Sequence, residues 1–322
     1  MEIISELHNL KTARKCGVTV GTFDGLHLGH QKIIEKLISV ARSRKLCSTL
    51  VTFDPHPKIV LKQKDNFNIE ILTSLDEKLD ILSRSGLDRV VIVKFDREFA
   101  SQTYEQFVKN ILIDRIGAEA IIVGYDHAFG KDREGNFENL KILSAKYGFY
   151  LEKVGPVEFD NEVISSTLIR QAISAGDVES AAKYLGRNYS LSGKVVPGDS
   201  RGKELNYPTA NIAISNSNKL IPATGVYAVD VIYEEQLYKG MLNIGFRPTF
   251  GDFNESIVEV NIFEFEKDIY DEKLTVLFKK RLRDEVKFDS VEEKRLRDED
   301  KFDSVEELIS QLEIDKQESL KL

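Results

Sequence analysis

At roughly 150 residues per domain, the 322-residue chain has room for about two domains, and 42% hydrophobic and 30% charged residues with only 7 Pro and 20 Gly exclude disordered, fibrous and collagen-like classes. Forty-five Lys and Arg against 53 Asp and Glu leave a net charge of −8, which argues against a nucleic-acid or membrane-surface binder, so an anionic ligand must be held locally. Cys16 and Cys47 are too few for a disulfide framework or a zinc site, no apolar run approaches the ~20 residues of a membrane span, and Met1 to Cys16 lacks the apolar stretch of a signal peptide, so a reducing, cytoplasmic setting is expected.

In chain order, Cys16 to Phe23 reads as a buried strand, and Ile33, Ile34, Leu37, Ile38 and Ala41 then recur at helical spacing. Leu46 to Phe53 is a second strand. Ser74 and Glu77 form a capping box for a helix through Leu82, before the apolar strand Arg89 to Phe95. A helix marked by Phe107, Val108, Ile111 and Leu112 precedes a strand over Ala120 to Tyr125. A helix around Leu140 to Ala145, a strand over Phe149 to Val154, and helices starting near Ser166 and Val178 complete this half. Such alternation predicts a parallel sheet with helices on both faces.

Beyond Gly186 the texture changes. Tyr189 to Val196, Tyr207 to Ile214, Gly225 to Tyr233, Leu237 to Ile244, Ile257 to Phe265 and Leu274 to Phe278 are rich in β-branched and aromatic residues, with no helical pattern between them. They predict a six-stranded barrel, and the expected domains are 1–185 and 186–322. A tandem repeat follows: Lys280 to Glu293 is copied as Lys294 to Glu307, with only Val286 against Asp300 differing. Two copies with few apolar side chains make a local duplication rather than a solenoid. The second copy is expected to start a C-terminal helix at Ser304, with Leu308, Ile309, Leu312 and Ile314 as its apolar stripe, and the first to be an exposed polar excursion.

The chemistry-bearing residues divide between the halves, since His8, His27, His30, His56 and His127 all precede residue 128. The sharpest motif is Gly21-Thr-Phe-Asp-Gly-Leu-His-Leu-Gly-His30, set between the first strand and the first helix. A helix N-terminus there favours a phosphate, and the His27 and His30 imidazoles can donate to oxygens that gain charge in a transition state. Taken alone, the same HxGH also reads as a surface turn or a metal pair. Ile164-Ser-Ser-Thr-Leu-Ile-Arg170 opens a helix with three hydroxyls and carries Arg170 about one turn on, a polyphosphate-binding pattern and also an ordinary N-cap. No Walker-type loop and no G-x-G-x-x-G occurs after the first strand.

HxGH with a distant ISSTxIR, together with Val51-Thr-Phe-Asp-Pro-His-Pro57, Phe95-Asp-Arg-Glu-Phe-Ala100 and Val123-Gly-Tyr-Asp-His-Ala-Phe-Gly130, resembles the nucleotidyltransferase half of the bacterial bifunctional riboflavin kinase/FMN adenylyltransferase family. Pro208-Thr-Ala-Asn211, Gly225-Val-Tyr227, Asn243-Ile-Gly-Phe-Arg-Pro-Thr249 and Val258-Glu-Val260 resemble its kinase module. The resemblance implies a Rossmann-like α/β nucleotidyltransferase domain followed by an all-β six-stranded barrel with a C-terminal helix. It also implies riboflavin, FMN, ATP and Mg²⁺ as small-molecule partners, and it neither requires nor excludes a homo-oligomer.

Residue by residue, it assigns catalysis to His27 and His30, with Gly21, Phe23, Asp24, Gly29, Ser165, Ser166, Thr167 and Arg170 around the nucleotide. Phe53, Pro55, His56, Pro57 and Asp126 would lie toward the flavin. In the kinase half it assigns Gly198, Ser200, Gly202, Thr209 and Asn211 to Mg-ATP, with Thr209 and Asn211 on the metal and Glu259 as base. Strand alternation agrees, because Val258, Val260 and Ile262 share one face and Glu259 and Asn261 the other. Asn206-Tyr207 and His127-Ala128 depart from the family's usual Gly-Phe and Phe-Arg. A competing expectation is an adenylyltransferase whose barrel binds flavin but is impaired by the duplication. An aminoacyl-tRNA synthetase-like protein lacks support, with no KMSKS-like loop, and a non-enzymatic flavin carrier would leave the phosphate motifs unexplained.

Overall fold

Short apolar strands and amphipathic helices alternate through the first half as the sequence predicts, in a computed structural model that describes residues 1–5, 14–61, 70–127, 130, 134–198, 207–247, 255–285 and 305–322. The chain divides into two compact units, Met1–Ser166 and Thr167–Leu322.

In the first unit, strands β1 (Glu2–Ile4), β2 (Cys16–Val20), β3 (Cys47–Asp54), β4 (Arg89–Lys94), β5 (Ala118–Gly124) and β6 (Tyr150–Val154) form a six-stranded sheet in the order β1-β4-β3-β2-β5-β6. The pairings along it are parallel. Alternate residues feed two cores. On one face Val18, Val20, Val51, Val91, Val93, Ile121 and Val123 pack with Phe107, Val108, Ile111 and Leu112. On the other, Leu50, Val90, Ile92, Ala120 and Ile122 pack with Ile34 and Leu37 of helix α1 (Leu28–Ser43) and Leu82 of the next long helix (Leu75–Ser83). Both faces are covered, as a parallel sheet requires. The Ser74/Glu77 capping box forms as predicted. Phe107–Ile113 is helical but wound as a π-helix. The sequence reading missed the edge strand β1, only three residues long, a small hairpin of β7 (Glu158–Phe159) and β8 (Glu162–Val163), and the short helices Pro57–Val60 and Arg97–Ala100.

The second unit holds helices Ser166–Ser174 and Val178–Leu185, then β9 (Ser190–Val196), β10 (Ala210–Ala213), β11 (Gly225–Tyr233), β12 (Gln236–Arg247), β13 (Glu255–Ile262) and β14 (Lys273–Arg283). These strands close into a barrel in the order β10-β13-β12-β11-β14-β9. Its interior is sealed by residues such as Leu191, Tyr227, Leu242, Val260 and Phe278, with the Tyr227 and Phe278 rings edge to face at 5.2 Å. A C-terminal helix, Val305–Leu320, follows.

Two expectations about the C-terminus need correction. The first copy of the duplication is not wholly an excursion, because Lys280 to Arg283 extend β14 and pair with β11. The helix does begin within the second copy, at Val305, while Ser304 and the rest of 286–304 lie outside the described residues. Its buried side matches only half of the expected stripe: Leu308 and Leu312 are half-buried, but Ile309 and Ile314 are exposed, whereas Asp315 and Ser319 are buried. The reason is an ion pair. Arg283 donates from Nε and Nη2 to Asp315 Oδ2 at 3.0 and 2.8 Å, and Gln311 donates to Asp315 Oδ1 at 2.9 Å. That pairing turns a carboxylate inward where periodicity alone would put an isoleucine. Replacing Asp315 by alanine is expected to cost about 3 kcal/mol, the scale for removing one partner of a buried ion pair. The urea midpoint of unfolding measures it.

Candidate active sites

In the first unit the sequence motifs gather at the carboxyl ends of the strands. The chain runs from β2 through β3 to β4 in one direction across the sheet and then crosses back, so that β5 lies on the other side of β2. This reversal is the topological switch point at which open α/β sheets bind ligands. The HxGH loop leaves β2 and Tyr125-Asp-His127 leaves β5, beside one another at that point.

His27 is the N-cap of α1, its Nδ1 accepting from the His30 backbone N–H at 3.4 Å. The two imidazoles stack with centroids 3.7 Å apart and 21° between planes, and the Phe23 ring meets His30 edge-on at 5.1 Å. Glycine at 29 makes room for this, because a Cβ there would lie 3.1 Å from the His27 ring. The loop's shape is held from below. Asp24, buried, accepts from the Leu72 and Thr73 backbone N–H groups at 2.9 and 3.0 Å, and Thr73 Oγ1 accepts from Gly25 N–H at 3.1 Å. The buried Lys78 donates from Nζ to the Thr22 carbonyl at 2.7 Å and to Thr52 Oγ1 at 3.3 Å, tying the β2 and β3 loops together. Burial pulls its ammonium below the ordinary lysine range, while Asp24 and Asp54 push back.

The second phosphate motif meets the first directly, since Ser166 Oγ donates to the Asp24 carbonyl at 2.9 Å. Ser165 and Ser166 are half-buried there, and Gly21, Phe23 and Asp24 line the same loop. Thr167 and Arg170 continue the helix that Ser166 begins. Of the flavin-side candidates, Phe53 is a core side chain within a ring cluster of Phe95, Phe99 and Phe107. Pro55 is exposed, and His56 caps the short helix Pro57–Val60 by accepting from Lys58 N–H. Asp126 is exposed, and burial of the neighbouring His127 ring pulls its pKa down to about 4.

In the barrel, strand register assembles the second site. Asn211 of β10 and Asn243 of β12 both lie directly opposite Glu259 of β13. Directly paired residues share a face, so the three form one row; all are half-buried, while Ile212, Leu242, Val258 and Val260 turn into the core. Asn261 donates to the Pro208 carbonyl at 2.7 Å and so anchors the start of the Pro-Thr-Ala-Asn segment, on which Thr209 is exposed. Gly198 crosses this row, because a Cβ on it would sit 1.9 Å from Asn211 Nδ2. Gly198→Ala must therefore rotate the Asn211 amide away, and is expected to lower kcat/KM of the kinase activity that the resemblance implies by at least about tenfold, or 1.4 kcal/mol, with the circular dichroism spectrum unchanged. Ser200 and Gly202 lie outside the described residues. The Tyr207 hydroxyl, at one of the departures noted above, donates to Glu313 of the C-terminal helix at 2.9 Å; desolvation and that carboxylate push its pKa up to about 12.

Comparison with known proteins joins the two sites. The FAD synthetase family model matches residues 9–168 and the riboflavin kinase model residues 185–294. The bifunctional riboflavin kinase/FMN adenylyltransferase of Buchnera aphidicola subsp. Acyrthosiphon pisum is 38% identical over 296 residues, 91% of this chain and 93% of that protein. The chain belongs to the bifunctional riboflavin kinase/FMN adenylyltransferase family. The enzyme of the same name from Bacillus subtilis (strain 168) is 34% identical, over 95% of this chain and 92% of its own. A solved structure titled a macrolide-efflux protein from Streptococcus pneumoniae superposes with a TM-score of 0.86 at 34% identity, over 99% and 98% of the two chains. As a member of this family the chain phosphorylates riboflavin to FMN with ATP and adenylylates FMN to FAD. The impaired-barrel expectation is not favoured. Sequence reasoning did not single out Leu72, Thr73 and Lys78, which brace the HxGH loop, or the Asn243 side of the Glu259 row.

Proposed function

We propose that adenylylation is carried by the His27–His30 site of residues 1–185 and phosphorylation by the Asn211–Glu259–Asn243 row of residues 186–322. The stacked imidazoles at the N-terminus of α1 support the first assignment. The FMN phosphate attacks the ATP α-phosphorus, the bond to the bridging oxygen breaks, and pyrophosphate leaves. His27 and His30 donate to oxygens that gain charge as this happens, while the first-turn N–H groups of α1 and the hydroxyls of Ser165, Ser166 and Thr167 with Arg170 hold the triphosphate. No protein nucleophile is needed, because positioning and charge stabilisation suffice. Asp24 acts through the loop, its carboxylate being engaged by the backbone at 72 and 73.

In the barrel, Glu259 takes the proton of the riboflavin primary hydroxyl as that oxygen attacks the γ-phosphorus of ATP and ADP leaves. The hydroxyl of Thr209, the amide oxygen of Asn211 and the nearby carboxylate are hard oxygen donors that suit Mg²⁺. Thr209 and Asn211 would hold the ion, which when bound neutralises triphosphate charge. The close approach of Gly198 to Asn211 fits a donor held in one orientation. We place the enzyme in the cytoplasm with small-molecule substrates and no nucleic-acid partner.

A chromatographic time course of riboflavin, FMN and FAD with Mg-ATP tests the assignment; failure to make FAD from supplied FMN would defeat the first half of it. Deleting 280–293 is expected to leave both rates within about twofold, because Lys294 to Arg297 repeat the Lys280 to Arg283 sequence that completes β14. The same time course on the shortened chain checks this.

A further inference from the structure

We propose that Cys16 and Cys47 are a peroxide-sensitive thiol pair that closes reversibly into an intramolecular disulfide, a modification site at the end of the sheet opposite the HxGH loop. The residues open β2 and β3 and are direct partners in the parallel register. Adjacent strands run about 4.8 Å apart, inside the roughly 4.4–6.8 Å Cα window of a disulfide. Both side chains turn to the same face, in the core that holds Val18 and Val51. Each cysteine is the strongest single influence on the other's protonation, as close neighbours would be.

The pair is asymmetric. Cys16 is wholly buried and its thiol also donates to the Arg14 carbonyl at 3.4 Å, whereas Cys47 is half-buried and accepts from Thr49 Oγ1 at 3.8 Å. A buried guanidinium completes the group: Arg89 Nη1 lies 3.9 Å from Cys16 Sγ, with Nε paired to Glu2 at 2.9 Å. The neighbouring Cys16, the Thr49 hydroxyl and Arg89 hold Cys47 below the ordinary thiol range against burial and Asp88, and the Cys47 sulfur and burial push Cys16 up. A half-buried thiol held below its ordinary range, beside a buried partner that can resolve it, is the arrangement of redox-responsive cysteines.

The steps balance with a hydroperoxide as oxidant. The Cys47 thiolate attacks the terminal peroxide oxygen, the O–O bond breaks, and the alkoxide leaves as an alcohol after taking a proton, giving a sulfenic acid. The Cys16 sulfur then attacks Cys47 Sγ, the S–S bond forms, the S–O bond breaks, and water leaves with the thiol proton. Two thiols lose two electrons in all, and the peroxide gains them. A dithiol reductant reverses the closure by thiol–disulfide exchange.

The test uses the full-length protein treated with hydrogen peroxide, alkylated with iodoacetamide and digested without reductant. The expected product is a cross-linked peptide joining positions 16 and 47, lighter by two hydrogens than the sum of the reduced peptides and released by dithiothreitol. Before oxidation, Cys47 should alkylate at least about tenfold faster than Cys16 at pH 7. In Cys16→Ala the reaction should stop at a sulfenic acid on residue 47 that dimedone traps. The unmodified sequence decides the matter even if that variant folds poorly. Full alkylation of both cysteines after peroxide, oxidation beginning at Cys16, or disulfides formed only between chains would each overturn the proposal.

Discussion

His30→Ala is expected to slow FMN adenylylation by about 10²–10³-fold, the usual effect of removing one donor aimed at developing charge, while riboflavin phosphorylation in the same preparation keeps its rate. The loss should fall on kcat more than on KM for FMN, because the interaction strengthens as charge builds on the phosphate oxygens. His27 needs a different substitution, since its ring both faces the site and caps α1. Asparagine is a strong N-cap, so His27→Asn keeps the helix start and removes only the imidazole. A similar fall in that variant, with an unchanged melting temperature, would separate chemistry from capping. A variant of either histidine that still made FAD at more than about a tenth of the normal rate would remove the pair from the reaction.

Glu259→Gln is expected to reduce riboflavin phosphorylation by about 10²–10⁴-fold, the range for losing a positioned general base, with FAD formation from supplied FMN unchanged. Glutamine occupies the same volume at the same place in the Asn211–Glu259–Asn243 row, so the barrel should remain closed and the effect should be confined to proton transfer. Measuring ADP release and FMN formation together distinguishes this from a loss of ATP binding: the base reading requires kcat to fall while KM for ATP stays within about threefold. Retention of more than a tenth of the activity would point to a different proton acceptor.

Much of this was legible because the relevant signals are local. Short apolar runs marked β4 and β5, the Ser74/Glu77 pair marked a helix start, and glycines around His27 and His30 marked a turn that must let rings and a ligand approach. The C-terminal stripe held for the half-buried Leu308 and Leu312 and not for Ile309 and Ile314, for a physical reason visible only in three dimensions. Helical periodicity placed Ile309 and Ile314 inward, but the partner of Arg283 lies on that helix, and a paired buried carboxylate decided which side turned in. Phe53, read from the sequence as the end of the second strand, lies in β3, and only the fold shows it buried among three other phenylalanine rings.

By itself, the sequence determined that the chain holds a helix-rich half with histidines followed by a strand-rich half without them, and it named the residues able to handle phosphate in each. Tertiary structure alone decided the strand order that puts the ends of β2 and β5 side by side, the register that sets Asn211 and Asn243 against Glu259, and the pairing of Cys16 with Cys47. Strand pairing joins residues far apart in the chain, and a shift of one position would send every side chain to the other face. Only burial of the two cores and closure of the barrel select the register, so the composition of both sites follows from packing that no local stretch of sequence encodes.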